Sequence, residues 1–342
     1  MAKRAGMAEL AAAAGVSVAT VDRILNGREA VRPDTRARVV EAALRLGHPA
    51  AARLSGAAEA LPEVRFGVVL HKQGQDFYRA FAEELHRAVA QVQGVRGRLI
   101  LEFSASQAPS EMAGLLRAMA GRCDALAATA VNHPEVTAAV EALRAQGLPV
   151  FSLLSDFAQG VRSGYLGLNN LKVGRTAGWM TALAARGPGP VAIFVGGHRW
   201  HGHELRETGF RAYLREAAPQ LQVLETLVNL ETRQLTYEAT LALLARHPDL
   251  RGIYVSGGGM EGAIAALRES GRKGEVVLIV SALTGDSRAG LADGVVTMVV
   301  DTPLEKLCRA LFASMAHAAT EGAATATAQH FLPPDLHLPE SI

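Results

Sequence analysis

Cysteine is scarce in this 342-residue chain: Cys123 and Cys308 are the only two, and they lie far apart. That excludes a disulfide framework and a cysteine-type zinc site, and it suits buried thiols in a reducing compartment. Long apolar runs are missing too; none reaches the roughly 18 residues that a membrane span needs. Lys3 and Arg4 open the chain, but no secretory apolar segment follows, because Glu9 interrupts it. These absences predict a cytoplasmic protein without a membrane partner. An excess of one charge is also lacking, the formal net charge being +2.

What is present is core-forming material. Hydrophobic residues make up 49% and charged residues 20%, which argues against disorder over the whole chain. The length suits two or three units at roughly 100–200 residues per domain. The near-neutral balance hides an asymmetry. Residues 1–60 carry nine Lys/Arg against six Asp/Glu, and the remainder is almost balanced. A basic head on a neutral body points to a polyanionic partner for the head.

The head contains "MAELAAAAGVSVATVDRILNG". Met7–Ala14 reads as a helix with Leu10 and Ala11 inward. Gly15 permits a turn without a Cβ clash, and Ser17 can cap the next helix. Val21, Ile24 and Leu25 give it an i, i+3, i+4 apolar stripe, and Asn26-Gly27 is a natural stop. A small residue at Ala11, glycine at the turn and Val21 as anchor are what a helix-turn-helix requires. An ordinary helical hairpin explains the spacing but not the basic residues. In the second helix Val18, Ala19 and Asp22/Arg23 would face the major groove, and Thr20 would reach a phosphate or the backbone. Arg23 would pair with a guanine edge or with phosphate alone. "VRPDTRARVVEAALRLG" reads as a third helix, with Pro33 in its first turn and Val39, Val40, Ala43 and Leu44 on its inner face.

From Val64 onward β-branched runs alternate with amphipathic stretches. Strands are expected at 64–70, 98–103, 124–129, 148–154, 164–168, 190–196, 221–227, 251–256, 275–281 and 294–300. Helices are expected between them, for example over 77–91, 134–146 and 171–186. That rhythm predicts a doubly wound parallel α/β sheet, with too many strands for one compact sheet. Near "SDFAQGVRSGYLGLNN" two strands follow without a helix, which suggests a break between two lobes. Ligands in such folds sit at the carboxyl ends of strands, here in the cleft between lobes.

"GGHRWHGHE" gathers His198, His201, His203 and Glu204, a spacing open to a metal, to ligand contacts or to a plain solvated loop. "SGGGMEG" precedes a helix and would cradle a phosphate or line a cleft closely; it lacks the Lys-Ser/Thr of a P-loop. A catalytic reading needs a nucleophile with a base or paired carboxylates; Ser155, Asp156 and the histidines are scattered across different strand ends and nothing in the sequence brings them together, so neither a catalytic residue nor a metal site nor a cofactor is predicted.

Residues 7–47 resemble the DNA-binding head of the LacI (lactose-repressor) family of bacterial regulators, through "GVS-x-x-TV-x-R-[IV]-[LV]-N" followed by "V-x-x-x-TR-x-[RK]-V". The resemblance implies that Val18 and Ala19 hold the two main base-reading positions and Arg23 a third. Ser17, Thr20, Asn26 and Arg28 complete the expected DNA contacts. Asp22 stands where serine is commoner. The following "GHPAAARLSGAAEALPEV" resembles that family's hinge but is a few residues short. Arg53 and Leu54 would then enter the minor groove, with Leu54 as the wedge, the alternative being a plain linker.

The body resembles periplasmic-binding-protein-like sugar-binding domains, the ribose-binding subgroup in particular, through "GVVLHKQGQDFYRAFAEEL", "LPVFSLLSDF", "YLGLNNLKVGRTAGWM", "HELRETGFRAYL" and "SGGGMEGAIAALRE". By that resemblance Phe77 and Tyr78 match the aromatic pair that sandwiches a sugar ring. Ser155 and Asp156 stand near a strand end where relatives place Asp-Arg. His203 and Glu204 stand where many relatives carry a ligand-gripping arginine. Gly257 and Ala282 replace an asparagine and an aspartate, and Asp301 stands where relatives have glutamine or aspartate. His71, Asp76, Asn132, His198, Trp200 and Thr284 are further candidates for gripping the ligand.

The expected organisation is a helix-turn-helix head over 1–48, a hinge over 49–63 and an effector-binding body over 64–342. The body would divide into one lobe of about 64–158 plus 297–320 and another of about 163–293. The expected function is a homodimeric, ligand-responsive transcriptional regulator that binds double-stranded operator DNA and a small polar effector such as a sugar, sugar acid or polyol. The alternative is a solute-binding protein of transport.

Overall fold

The computed structural model describes residues 6–26, 31–48, 50–51, 61–322 and 328–342. The chain divides into two compact units, residues 1–63 with 94–96, and 64–93 with 97–342. Among the described residues no helix is long and apolar enough to cross a membrane.

The head holds three helices, α1 (Met7–Ala14), α2 (Val18–Asn26) and α3 (Pro33–Arg45). Gly15 ends α1 at φ +62°, a left-handed conformation that glycine adopts without strain. The Ser17 Oγ then accepts from the Thr20 amide at 3.2 Å and caps α2. Leu10, Ala11, Ala14, Val21, Val39, Ala42 and Ala43 form the small core. Arg38 donates to the Ala14 carbonyl at 2.8 Å and to the Gly15 carbonyl at 2.7 Å, so one side chain satisfies the orphan carbonyls that close α1. Leu44, expected inside, is 59% exposed, and Ala42 takes its place in the core. The inner stripe of α3 thus runs through Val39, Ala42 and Ala43 and leaves Leu44 outside.

The body is built on two sheets. The first comprises β1 (Glu63–His71), β2 (Arg96–Ser104), β3 (Ala125–Ala128), β4 (Val150–Leu153), β5 (Gly164–Leu168) and β12 (Ala328–Leu332). The second comprises β6 (Gly189–Val195), β7 (Leu221–Val223), β9 (Gly252–Val255), β10 (Val277–Val280), β11 (Met298–Asp301) and β13 (Asp335–His337), with β8 (Leu227–Val228) paired to β6. The strand orders are 12-5-4-3-1-2 and 13-11-10-9-6-7. Both sheets therefore wind the same way about their first strand. The pairs β1–β3, β3–β4, β4–β5, β5–β12, β6–β7, β6–β8, β6–β9, β9–β10 and β10–β11 are parallel, and β13 runs antiparallel to β11.

The helices between the strands are α4 (Asp76–Val89), α5 (Pro109–Arg117), α6 (Pro134–Ala145), α7 (Asn170–Ala184), α8 (His201–Ala217), α9 (Arg233–Arg246), α10 (Met260–Glu269), α11 (Gly285–Ala292) and α12 (Leu304–Glu321). Fully buried runs such as Ala125–Ala128 and Val277–Val280 mark strands covered on both faces.

Two limits differ from the sequence-based expectation. β5 belongs to the first sheet, with Phe151 opposite Gly164 in parallel register. A loop carrying the buried Phe157 and Arg162 performs the crossover without a helix. β11 belongs to the second sheet, opposite β10. The chain thus passes to the second lobe after β5 and returns after β11. α12 then packs on the first lobe, where Phe312 meets Phe66 at 5.1 Å between ring centroids. The tail adds β12 to the first sheet and β13 to the second.

Candidate functional site: the interlobe cleft and the helix-turn-helix

On the head, Ser17, Val18, Ala19 and Arg23 are exposed and Thr20 is half-buried. Val18 is 47% exposed while Val21 is fully buried, so α2 turns one face to the core and a second, small-residue face outward. Asn26 is the last residue of α2. Arg28, Arg53 and Leu54 lie outside the described residues.

In the body, β1 is flanked by β3 and β2 in the first sheet, and β6 by β9 and β7 in the second. The strand order reverses there, and a crevice opens beyond the carboxyl ends of such strands. The segments that follow those ends line one cavity. Gln75, Phe77 and Tyr78 enter it after β1, and Leu154 and Ser155 after β4. Trp200, Gly202, His203 and Arg206 come after β6, Glu231 after β8, and Gly257–Glu261 after β9.

The lobes meet through direct hydrogen bonds. Gln75 Nε2 donates to the Glu231 carbonyl at 2.6 Å, and Lys72 Nζ donates to the Leu230 carbonyl. Trp200 Nε1 donates to Gln107 Oε1 at 3.0 Å, and the Gly202 amide donates to Ser155 Oγ at 3.0 Å. Trp200 is 4% exposed and joins the apolar core of the first lobe, while Phe77 packs in return against the core of the second. Leu230 and Glu231 have φ of 49° and 55°, left-handed conformations that side chains rarely adopt. Strain of this kind persists where surrounding contacts hold it, and it gathers at ligand sites.

At the cavity wall stands Glu231, 6% exposed. Its Oε1 accepts from the Gly258 amide at 3.2 Å and faces His203 Nε2 at 3.6 Å. Its Oε2 has no hydrogen-bond partner among the described residues; His71 Nε2 lies 3.8 Å away and Lys72 Nζ 3.9 Å. His203 Nδ1 accepts from the Gly196 amide at 3.0 Å, so in the neutral ring the proton sits on Nε2 and points toward Glu231. Burial holds both His71 and His203 down at about 4, against the pull of Glu231. Burial opposes ionisation of Glu231, but the neighbouring imidazoles, Lys72 and the Gly258 amide carry its pKa below the usual carboxylate value. The glycines of "SGGGMEG" make room for this group. A Cβ on Gly257 would stand 2.6 Å from the His203 ring and 2.9 Å from Glu231 Oε1.

Arg206 is 9% exposed and anchored by neutral groups, Asn170 Oδ1 at 2.7 Å and the Ser256 carbonyl at 2.6 Å. Its position follows from close packing of α7 on α8. Any Cβ at Gly174 would lie 1.9 Å from the Arg206 carbonyl, so only glycine lets the two helices approach this far.

Phe77, Tyr78, Ser155, Trp200, His203 and Gly257 line the cavity. His71 is fully buried behind it, against the Tyr78 and Trp200 rings. The other candidates stand elsewhere. Asp76 turns to solvent and pairs with Arg79. Asn132 is exposed, and its amide donates to the Arg199 carbonyl at 2.8 Å. Asp156 is consumed by a buried pair with Arg162. His198 is exposed. The Glu204 side chain is 65% exposed beside His201. Thr284 caps α11. Asp301 accepts from the Leu283 and Thr302 amides. The histidines of "GGHRWHGHE" therefore do not converge. The helical period explains the exchange of roles on α8: Gly202, Arg206, Gly209 and Phe210 share its buried face, and Glu204 falls opposite. Arg206 and Glu231 were missed in the sequence. An arginine on an apolar stripe was a readable signal for the first; the loop holding Glu231 offers none.

A two-lobed α/β cleft and a helix-turn-helix in one chain define a class in which a small-molecule site is joined to a nucleic-acid-binding head. Residues 66–323 match the family model for the periplasmic binding protein domain, and the chain belongs to that family. Residues 6–49 match the model for bacterial regulatory proteins of the lacI family, which identifies the head. The chain is 26% identical over 268 residues to the HTH-type transcriptional regulator GalS of Salmonella typhimurium, covering 77% of this chain and 75% of that protein. It is 28% identical over 209 residues to the HTH-type transcriptional regulator MalR of Streptomyces coelicolor, covering 60% of this chain and 57% of that relative's length. A solute binding protein from Agrobacterium vitis with bound D-fucose superposes with a TM-score of 0.74 at 15% identity, over 81% of this chain and 96% of that one. Another, from Actinobacillus succinogenes with bound D-allose, gives 0.73 at 17% identity, over 81% and 98%. These structural likenesses establish the fold.

Proposed function

We propose that the protein is a ligand-responsive transcriptional regulator, acting as a repressor of genes for uptake or breakdown of a sugar or related compound. The observation that carries this reading is the fusion of a lacI-family head to a periplasmic-binding-protein body in one chain. Its effector is a small polar molecule held between the lobes. Ligand contacts across the cleft stabilise one lobe arrangement over others, and by linkage the ligand and the DNA change each other's affinity equally. The working form is a homodimer in the cytoplasm that reads a two-fold operator through two copies of α2. The cleft binds its ligand without catalysis, as the regulators and solute-binding proteins similar to this chain suggest.

The test is binding of the purified protein to DNA from its own promoter region, at several salt concentrations, against unrelated DNA. Salt-sensitive and sequence-selective binding is expected; equal affinity for both DNAs overturns the reading. Arg23→Ala should weaken operator binding by about 1–3 kcal/mol more than non-specific binding. An equal loss on both DNAs makes Arg23 a phosphate contact.

A further inference from the structure

We propose that the outer face of α7 is a self-association surface that joins homodimers of this chain reversibly, the Arg175 guanidinium of each copy receiving the Trp179 ring of the other. The inference rests on the homodimer reading and goes beyond it, to a contact outside both the cleft and the head.

α7 carries its apolar bulk on the wrong side. Its buried positions include Gly174, Ala177 and Gly178, while Leu171, Trp179 and Leu183 are 40%, 44% and 65% exposed. The small residues inside have a reason, since a Cβ at Gly178 would stand 3.0 Å from the Tyr213 Cβ on α8. The large residues outside have none within the chain. Among the described residues Trp179 has neither a ring contact nor a hydrogen-bond partner for its Nε1 donor. A single exposed leucine needs no explanation, but three large apolar groups on one helix face form a patch, and patches mark contacts.

Leu171, Arg175, Trp179 and Leu183 recur every four residues, the row along which packed helices interlock. Arg175 is already fixed in place. Its Nη1 and Nη2 donate to Glu216 Oε1 at 3.3 Å and Oε2 at 2.8 Å, and its guanidinium lies over the Tyr213 ring, 5.5 Å from the centroid. The charge is thus compensated and one face of the plane is spent, yet 39% of the side chain stays exposed. The second face is a seat for an indole. Arginine and tryptophan are residue types on which contact energy concentrates, and a side chain ordered beforehand costs less to bind.

The row is self-complementary. A two-fold axis at the level of Ala177 sets Leu171 against Leu183 of a second copy and Arg175 against its Trp179, then repeats both contacts by symmetry, as an isologous interface requires. Lys172 falls opposite Ala182 of the second copy, so like charges stay apart. This complementarity selects a second copy as the occupant. Size makes the contact reversible: the row is about 18 Å long and one helix, about 10 Å, wide. It covers on the order of a few hundred Å², against roughly 800 Å² per partner in a stable pair. Such a patch links dimers that are themselves held together elsewhere.

Sedimentation velocity of the full chain from about 1 μM to about 100 μM tests this. The wild type should pass from the dimer to at least twice its mass. Tryptophan emission should shift to the blue in step, because Trp179 leaves water while Trp200, the second of the two tryptophans, is buried throughout. Trp179→Glu and Leu183→Glu should abolish the step. Trp179→Ala and Arg175→Lys should weaken it by about tenfold or more, since each substitution acts twice at a two-fold contact. These exposed positions lie outside the core, so the variants should melt with the wild type. Absence of the step, a step without the emission shift, or a step that survives Trp179→Glu overturns the proposal, and the face then falls to an acidic partner drawn by Lys172 and Arg186. A wild type that is monomeric at the lowest concentration overturns the homodimer reading alone, because a doubling of mass that the variants lose still scores this contact.

Discussion

Asp156 and Glu231 are both carboxylates withdrawn from solvent, 5% and 6% exposed, yet their surroundings are opposite. Asp156 accepts from Ser152 Oγ at 2.6 Å, from Arg162 Nε at 2.5 Å and Nη2 at 2.7 Å, and from Gln159 Nε2 at 3.1 Å. Burial works against its charge, but these donors hold its pKa below the usual value. Glu231 has one backbone donor, and its second oxygen, without a hydrogen-bond partner among the described residues, lies 3.9 Å from Lys72 Nζ. A carboxylate completed by its own chain fixes a loop. One short of donors leans instead on longer-range charge, here that of Lys72. Both stand just beyond strand ends, so position along the chain does not separate them; the donors that each receives do.

The largest effect should come from breaking the complete site. Arg162→Ala leaves Asp156 buried and unpaired, and urea unfolding should show a loss of about 3–5 kcal/mol. A loss under about 1 kcal/mol would mean that water replaces the guanidinium, and the contrast with Glu231 would weaken.

Acid should act first on the incomplete site. His71 faces Glu231, Lys72 and Glu111, and His203 faces Glu231, Arg206 and Lys72. Both histidines have folded values of about 4 against an ordinary 6.5. Between those values the unfolded chain binds more protons than the folded one, so stability is full above pH 6.5 and falls as the pH drops toward 4. Each imidazole contributes on the order of 3 kcal/mol at the full extent of the shift. Asp156 contributes in the same sense but at lower pH, below its normal range. Melting temperatures recorded from pH 7 downward should decline through that window, and His71→Asn with His203→Asn should flatten the decline. A flat wild-type profile would show that the imidazoles are solvated. The smallest effect is expected from Ser152→Ala, which removes one of several donors to Asp156 and should cost about 1–2 kcal/mol in the same urea measurement. A loss equal to that of Arg162→Ala would show that the donors act only as a complete set.

Much of this was legible in the sequence. The turn at Gly15, the cap at Ser17 and the alternation of strands and helices follow from local chemistry, which adjacent residues decide. The aromatic pair Phe77 and Tyr78 was legible by resemblance. The cleft's charges were not, because Glu231 and His203 are brought together by the close of β6, β8 and β9 rather than by spacing along the chain. The sequence points β5 to the second lobe because the helix missing before it reads as a lobe boundary, whereas a buried loop around Phe157 makes the crossover within the first sheet. Asp156 reads as a ligand residue in the sequence because nothing there shows that Arg162, six positions on, folds back onto it.

The late return of the chain also has a consequence in time. The first sheet takes its edge strand β12 from residues 328–332, far behind β5 at 164–168, and the packing helix α12 comes just before it. At a ribosomal rate of about 5–20 residues per second, β5 is synthesised on the order of ten to thirty seconds before that edge can form. Over that interval the second lobe is made while the first still lacks α12 and an outer strand. The apolar face that Phe312 later covers on Phe66 is exposed meanwhile. The period of greatest aggregation risk for this protein is therefore set by its topology, and it ends only when the last few dozen residues arrive.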